Sequence, residues 1–323
     1  MDFISQPKIL SPYARPENFH GLIISGMHRS GTTFLGKIIK QFKNIAIIHE
    51  PFNQEYGLRG VKNVYPCEYN REDSDYVIHL INEMFSGTTK YVRKVNNDSL
   101  LKSIGRYLLG GRTCMDTNLY KFRLLFNDEI IPVIKDPFLV LLSQNLINCG
   151  FGVIIIVRHP AAVWQSIKRM GWSLNIKNLG CHHLLNSVVK NIGYPKKLKD
   201  MLEIEKFALL WRCIQSYVSN LPENSNLTIL KHETLCSEPE KIIQHIEKRF
   251  SIIPTPKVYS YINRNMNSKQ VSIETNQLHS FKRNSRGLAK AWIESIDFEE
   301  ESLLKDLTGD IVIKIYGSWY PEI

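Results

Sequence analysis

No uninterrupted apolar stretch of about 18 residues occurs anywhere in the 323-residue chain, so no segment reads as a membrane-spanning helix. The N-terminal "MDFISQPKILSPYARPENFH" lacks the charged-then-apolar design of a secretory signal, which makes a cytoplasmic location the expectation. Six cysteines (Cys67, Cys114, Cys149, Cys181, Cys213 and Cys236) occur without a C-x-x-C spacing, which argues against a disulfide framework or a zinc site and for buried free thiols. There is no run of five or more basic residues, no basic amphipathic helix and no aromatic RNA-binding signature. Polymeric nucleic acid is therefore not the expected partner. The net charge of +10, from 41 basic and 31 acidic side chains, nevertheless favours an anion, whether nucleotide, membrane surface or acidic glycan.

What is present is the composition of an ordinary globular protein, 43% hydrophobic and 22% charged. Strand candidates alternate with helical patterns: "GLIIS" (21–25), "NIAIIHE" (44–50), "IIPVIKD" (130–136), "GFGVIIIVRHP" (150–160) and "NLTILKHE" (226–233). Near-continuous Ile/Val runs suit strands buried on both faces. The expected fold class is α/β, a P-loop-type central parallel sheet flanked by helices on both faces. In "FALLWRCIQSYV", Phe207, Leu210, Trp211, Ile214 and Val218 fall on one stripe of a core-facing helix. Residues 56–127 and 173–200 are richer in polar residues and read as largely helical insertions and loops. The chain reads as one domain over 1–323.

"GMHRSGTTFL" (26–35) follows the first strand and opens a helix. Such a junction is an anion site, because unpaired helix N–H groups and the helix dipole both face the incoming charge. The spacing Gly26-x-x-x-x-Gly31 matches nucleotide-binding loops, whose pattern continues with Lys and then Ser or Thr. Here Thr32 and Thr33 follow, and Arg29 is the cation inside the loop, setting His28 aside. The missing lysine counts against an ATPase.

"RSGTT" after a strand resembles the 5'-phosphosulfate-binding loop of sulfotransferases. Those enzymes use 3'-phosphoadenosine-5'-phosphosulfate (PAPS) as sulfuryl donor and release 3'-phosphoadenosine-5'-phosphate (PAP). The family's second mark, an Arg at a strand end and a Ser eight residues on, is matched by Arg158 and Ser166 in "VRHPAAVWQS". An arginine fork with a serine hydroxyl is suited to a 3'-phosphate. "HEPFN" (49–53) and "IKDPF" (134–138) look like segments of tyrosylprotein sulfotransferases and of bacterial sulfotransferases similar to them. That resemblance implies Glu50 as base and Lys135 beside the sulfate.

A basic loop near the C-terminus, "SFKRNSRGLAKAW" (280–292), contains Lys282, Arg283, Arg286 and Lys290 and corresponds to the family's nucleotide-covering loop. Cytosolic sulfotransferases carry something closer to Arg-Lys-Gly, whereas Arg286 and Gly287 are adjacent here. The resemblance covers about 20–50, 130–250 and 280–292. It implies Glu50, Lys135 and Arg29 as catalytic, and Arg29, Ser30, Gly31, Thr32, Thr33, Arg158, Ser166, Arg286 and Gly287 as donor-binding. No metal is required by the scheme.

His49 is the alternative base, and strand alternation predicts that only one of His49 and Glu50 faces the site. "CHH" (181–183) reads as ordinary loop residues, since neighbours rarely converge on one ion. A P-loop kinase and a non-catalytic nucleotide-binding protein are the rival readings. The acceptor is open among glycan, tyrosine, lipid and small metabolite, through a hydroxyl or an amine.

Overall fold

The computed structural model describes residues 19–93, 98–127, 129–174, 179–266 and 285–321. Strands β1 (Gly21–Gly26), β2 (Ile45–His49), β3 (Ile131–Lys135), β4 (Phe151–Val157) and β5 (Leu227–Lys231) form one parallel sheet in the order β2-β3-β1-β4-β5. β2 to β5 fall within the apolar runs identified from sequence, and β1 extends one residue beyond its run, to Gly26. Every residue of β1, β3 and β4 is buried, as a strand covered on both faces requires.

Alternation divides the strand side chains between two cores. Ile23, Ile134, Val153 and Ile155 face one cluster, while Leu22, Ile24, Val133 and Ile154 face the other. The connecting helices are α1 (Thr32–Ile39), α2 (Arg71–Ser86), α3 (Leu100–Leu109), α4 (Gly111–Leu124), α5 (Ser143–Asn148), α6 (Pro160–Arg169), α7 (His182–Asn191) and α8 (Glu203–Ser219). After β5 come α9 (His232–Ser237), α10 (Pro239–Phe250), α11 (Pro256–Met266), α12 (Ser285–Ser295) and α13 (Phe298–Tyr316). The predicted stripe of α8 is buried. Ala208, Leu209, Cys213 and Tyr217 are buried too, so α8 is enclosed on more than one side.

Three expectations change. "CHH" is not loop: Cys181 is buried at the start of α7 and both histidines lie in its first turn. Cys114 and Cys149 are only half-buried, while the other four free thiols are buried as expected. A basic amphipathic helix does exist, because α3 carries Lys102 and Arg106 opposite an apolar stripe and buries none of its residues. Its stripe escapes notice in the sequence because Gly110 and Gly111 interrupt the period between α3 and α4. Among the described residues, no helix is long and apolar enough to cross a membrane.

Candidate active site

The site lies at the carboxyl ends of the strands, where open α/β sheets place ligands. β1 ends at Gly26, the chain turns through Met27 to Gly31, and α1 begins at Thr32. Met27 is buried and its carbonyl accepts from the Ser30 N–H at 3.0 Å, closing the turn. Arg29 (φ 68°) and Gly31 (φ 105°) are both left-handed. Only glycine fits at 31, because a Cβ there would stand 2.4 Å from His232 Cδ2. No side chain caps α1, so its first N–H groups point into the loop unclaimed by a capping residue.

Arg158 follows β4 directly, and its Nη1 donates to the Arg29 carbonyl at 2.9 Å. Its own carbonyl accepts from Trp211 Nε1 at 3.0 Å, which fixes the strand end against α8. Ser166 lies on α6, whose first residue is Pro160. Arg29 Nε donates to Ser166 Oγ at 2.9 Å, and the guanidinium lies 5.4 Å from the Trp172 ring centroid. Arg29, Arg158 and Ser166, which are separated by up to 137 positions in sequence, thus meet beside one helix N-terminus.

β2 and β3 carry the second group. His49 pairs in register with Lys135, and the Glu50 N–H donates to the Lys135 carbonyl at 2.8 Å. Lys135 is buried, and its ammonium donates to Glu50 Oε1. Tyr56 donates its hydroxyl to Glu50 Oε2, and Asn53 Nδ2 donates to the same oxygen at 3.3 Å. His49 Nε2 stands 3.9 Å from Glu50 Oε1, so the two side chains do not point opposite ways. Alternation fails because β2 ends at His49 and Glu50 leaves it with φ 47°.

Residues 20–310 match the family model described as the sulfotransferase domain. The chain belongs to the sulfotransferase family. Among solved structures, it is similar to a sulfotransferase domain from the curacin biosynthetic pathway, at 13% identity, 91% coverage of this chain, 98% of that one and TM-score 0.46. It is also similar to mouse sulfotransferase SULT7A1 complexed with PAP, at 12% identity, coverages of 91% and 84%, and TM-score 0.39. Retinol dehydratase in complex with retinol and PAP matches at 12% identity, coverages of 92% and 82%, and TM-score 0.42. No curated protein sequence matches the chain.

The electrostatics of this sulfotransferase's site are set by burial and by Lys135. Burial would raise the Glu50 pKa, but the Lys135 charge, with lesser help from His49 and the hydrogen bonds, outweighs it and holds the carboxyl at about 2. Burial, followed by the Glu50 charge, pushes Tyr56 above its ordinary value and keeps it a donor. Burial and the Arg29 charge lower His28 to about 4, leaving a neutral ring whose Nδ1 lies 2.5 Å from the Tyr65 hydroxyl. Burial also raises Glu233; it accepts from the His159 N–H at 3.1 Å and from the Tyr316 hydroxyl at 3.0 Å. Among the described residues, no group of three or more His, Cys, Asp or Glu could hold a metal ion.

Asp136 was not identified from sequence, although it is the acid of the "IKDPF" segment. It is fully buried, its Oδ2 accepting from the Phe52 N–H at 2.6 Å and its Oδ1 from the Phe138 N–H at 3.0 Å. It therefore ties the turn carrying Glu50 to the end of β3. Tyr56, Asn53, His232 and Glu233 also went unrecognised. One signal was available: His-Glu recurs at the ends of two apolar runs, His49–Glu50 where β2 ends and His232–Glu233 directly after β5. Both pairs lie at the site end of the sheet. Lys282 and Arg283 lie outside the described residues, as does the Arg286 side chain. Gly287 is exposed in the first turn of α12.

The two carboxyls give opposite pH signatures. Glu50, depressed to about 2, contributes stability that is present above its ordinary 4.5 and is lost as pH falls toward 2. Asp136 is raised to about 7, first by burial and then by the Glu50 charge. The folded chain thus holds a proton that the unfolded chain releases above 3.8, and this stabilisation is lost as pH rises from there to about 7. Asp136→Asn should remove that downward slope, by up to one proton, in denaturant unfolding followed from about pH 4 to pH 7. It should also cost about 1–3 kcal/mol near pH 4, because an amide cannot accept from both backbone donors, and that cost should shrink toward pH 7, where the wild type has lost its own stabilisation. An unchanged slope would mean that Asp136 does not titrate in this range.

Proposed function

We propose that this sulfotransferase takes PAPS as its donor and transfers the sulfuryl group to a hydroxyl or an amine of its acceptor. The observation that carries this reading is the meeting of Arg29, Arg158 and Ser166 beside the uncapped N-terminus of α1, with the Glu50–Lys135 pair at the ends of the neighbouring strands. The residues present fit such a nucleotide. Ser30 Oγ and Arg158 Nε are buried without a hydrogen-bond partner, two polar groups suited to phosphate oxygens.

Ser30, Thr32, Thr33 and the N–H groups from Gly31 onward would hold the 5'-phosphosulfate, while Arg158 and Ser166 would hold the 3'-phosphate. Arg286 and Gly287, at the start of α12, would cover the nucleotide. The donor supplies an activated sulfuryl group, and the chain supplies position and charge. Glu50 takes the acceptor's proton. Held at about 2 by Lys135, it is a weak base while the pair is closed. Lys135 is accordingly a coupling element: as it turns toward negative charge developing on the leaving group, it releases Glu50 and raises its basicity. Arg29 contributes a second positive charge at the loop. A phosphoryl-transfer reading is disfavoured, because Thr32 stands where nucleotide kinases place the lysine after the second glycine.

Thermal unfolding with nucleotides tests the donor. PAP at about 100 times its Kd should stabilise the fold by about 2.7 kcal/mol, and ATP with Mg²⁺ by much less. Stabilisation by ATP with Mg²⁺, with none from PAP, would overturn the assignment.

A further inference from the structure

Helices α3 and α4 form a hairpin whose outer face is apolar and open. On α3, Leu100, Leu101, Ile104 and Leu108 recur at helical spacing and are 50–82% exposed. Met115, Leu119, Phe122 and Phe126, on α4 and the turn after it, are 52–76% exposed. The Phe122 and Phe126 rings pack with centroids 5.0 Å apart, so they form one ridge. Among the described residues, nothing covers this surface. Soluble monomers rarely leave contiguous apolar area of this extent in water, and where they do it marks an interface.

Charge says what kind of interface. From Leu100 to Phe126 there are five basic residues (Lys102, Arg106, Arg112, Lys121 and Arg123) and one acidic residue, Asp116. Arg106 is held by Asp98 and Arg123 by the Ile45 carbonyl, whereas Lys102 is exposed on α3. Beside the hairpin lies a cavity of about 750 Å³ that shares Leu108 with the apolar stripe. Arg59, Lys90, Arg93 and Lys121 line it, and among the described residues no acidic one does. An apolar ridge flanked by cations is the distribution of a helix lying in a membrane interface, with leucines among the acyl chains and cations at the phosphates. Two copies meeting through the same face would bring basic walls together, which like-charge repulsion opposes.

We propose that the α3–α4 hairpin docks this chain on an anionic lipid surface, with Leu101, Leu108 and Phe122 entering the bilayer and Lys90, Lys102 and Lys121 meeting headgroup phosphates. The docking is peripheral and needs no spanning helix.

Flotation of the full chain with vesicles tests it. With phosphatidylcholine vesicles containing about 30 mol% phosphatidylserine, the protein should float, partitioning at least about tenfold more strongly than with phosphatidylcholine alone, and raised salt should weaken the binding. The double variant Leu101→Glu/Leu108→Glu should lose at least about tenfold in partition. Because both side chains are exposed, it should unfold at the wild-type temperature. Failure of the full chain to float with either vesicle would overturn the proposal, as would equal flotation of the double variant. A dimer in light scattering that dissociates in the double variant, without flotation of the wild type, would assign the face to a second copy instead. Flotation that requires an added acidic protein would assign it to a protein partner.

Discussion

Glu50→Gln is expected to lower turnover by roughly 10²- to 10⁴-fold while leaving donor affinity nearly unchanged. The substitution keeps the shape of the side chain, and its amide oxygen can still accept from Tyr56 and Asn53, which both donate to Oε2. It cannot take a proton. It also frees Lys135 from the ion pair that holds Glu50 at about 2, so Lys135 remains available to a sulfate or phosphate oxygen. Single-turnover assays on an active acceptor, paired with PAP titration, separate the possible roles. Undiminished turnover would move the base to His49, whose Nε2 is 3.9 Å from Glu50 Oε1. Lost nucleotide binding would make the Glu50–Lys135 pair structural.

Arg158→Ala is expected to weaken PAP by roughly ten- to a hundredfold, the range of a charge-assisted hydrogen bond of about 1.5–3 kcal/mol. Ser166→Ala should weaken it less, since it removes a neutral hydroxyl that already accepts from Arg29 Nε. Adenosine-5'-phosphosulfate, which has no 3'-phosphate, is the control. Its affinity should change much less in both variants. Some loss is expected even there for Arg158→Ala, because Nη1 also supports the Arg29 carbonyl within the phosphate loop. Equal losses for the two nucleotides, measured by titration calorimetry, would show that Arg158 and Ser166 hold the loop and do not read the 3'-phosphate.

The features legible in the sequence are those that local chemistry writes over a few consecutive residues. Apolar runs mark β1 to β5, most plainly β1, β3 and β4, which are covered on both faces and have no polar side to interrupt them. The glycines and hydroxyls of residues 26–33 marked the loop because a chain turning from strand to helix around an anion needs them in that order. Contacts between distant positions left no such trace. Asp136 acts through the Phe52 backbone 84 positions away, and Arg158 is supported by Trp211, 53 positions on.

The His49–Glu50 pair departs from alternation for a local reason. The rule holds only within the strand, and Glu50 lies one residue past its end in left-handed backbone. The α3–α4 face was hidden by the two glycines between its halves and by the polar residues that α3 also carries. Its meaning depends on exposure, which sequence periodicity does not report: an amphipathic stripe reads the same whether a core covers it or water does.

The central claim is that this site moves a sulfuryl group from a 3'-phosphorylated adenosine donor. Its most direct test is incubation of the full chain with sulfur-labelled PAPS and a panel of glycan, tyrosine-peptide, lipid and small hydroxyl or amine acceptors. Label should appear on an acceptor in step with PAP, and Glu50→Gln should abolish most of it. Absence of label on every acceptor, with transfer of phosphate from ATP by the same preparation, would contradict the account.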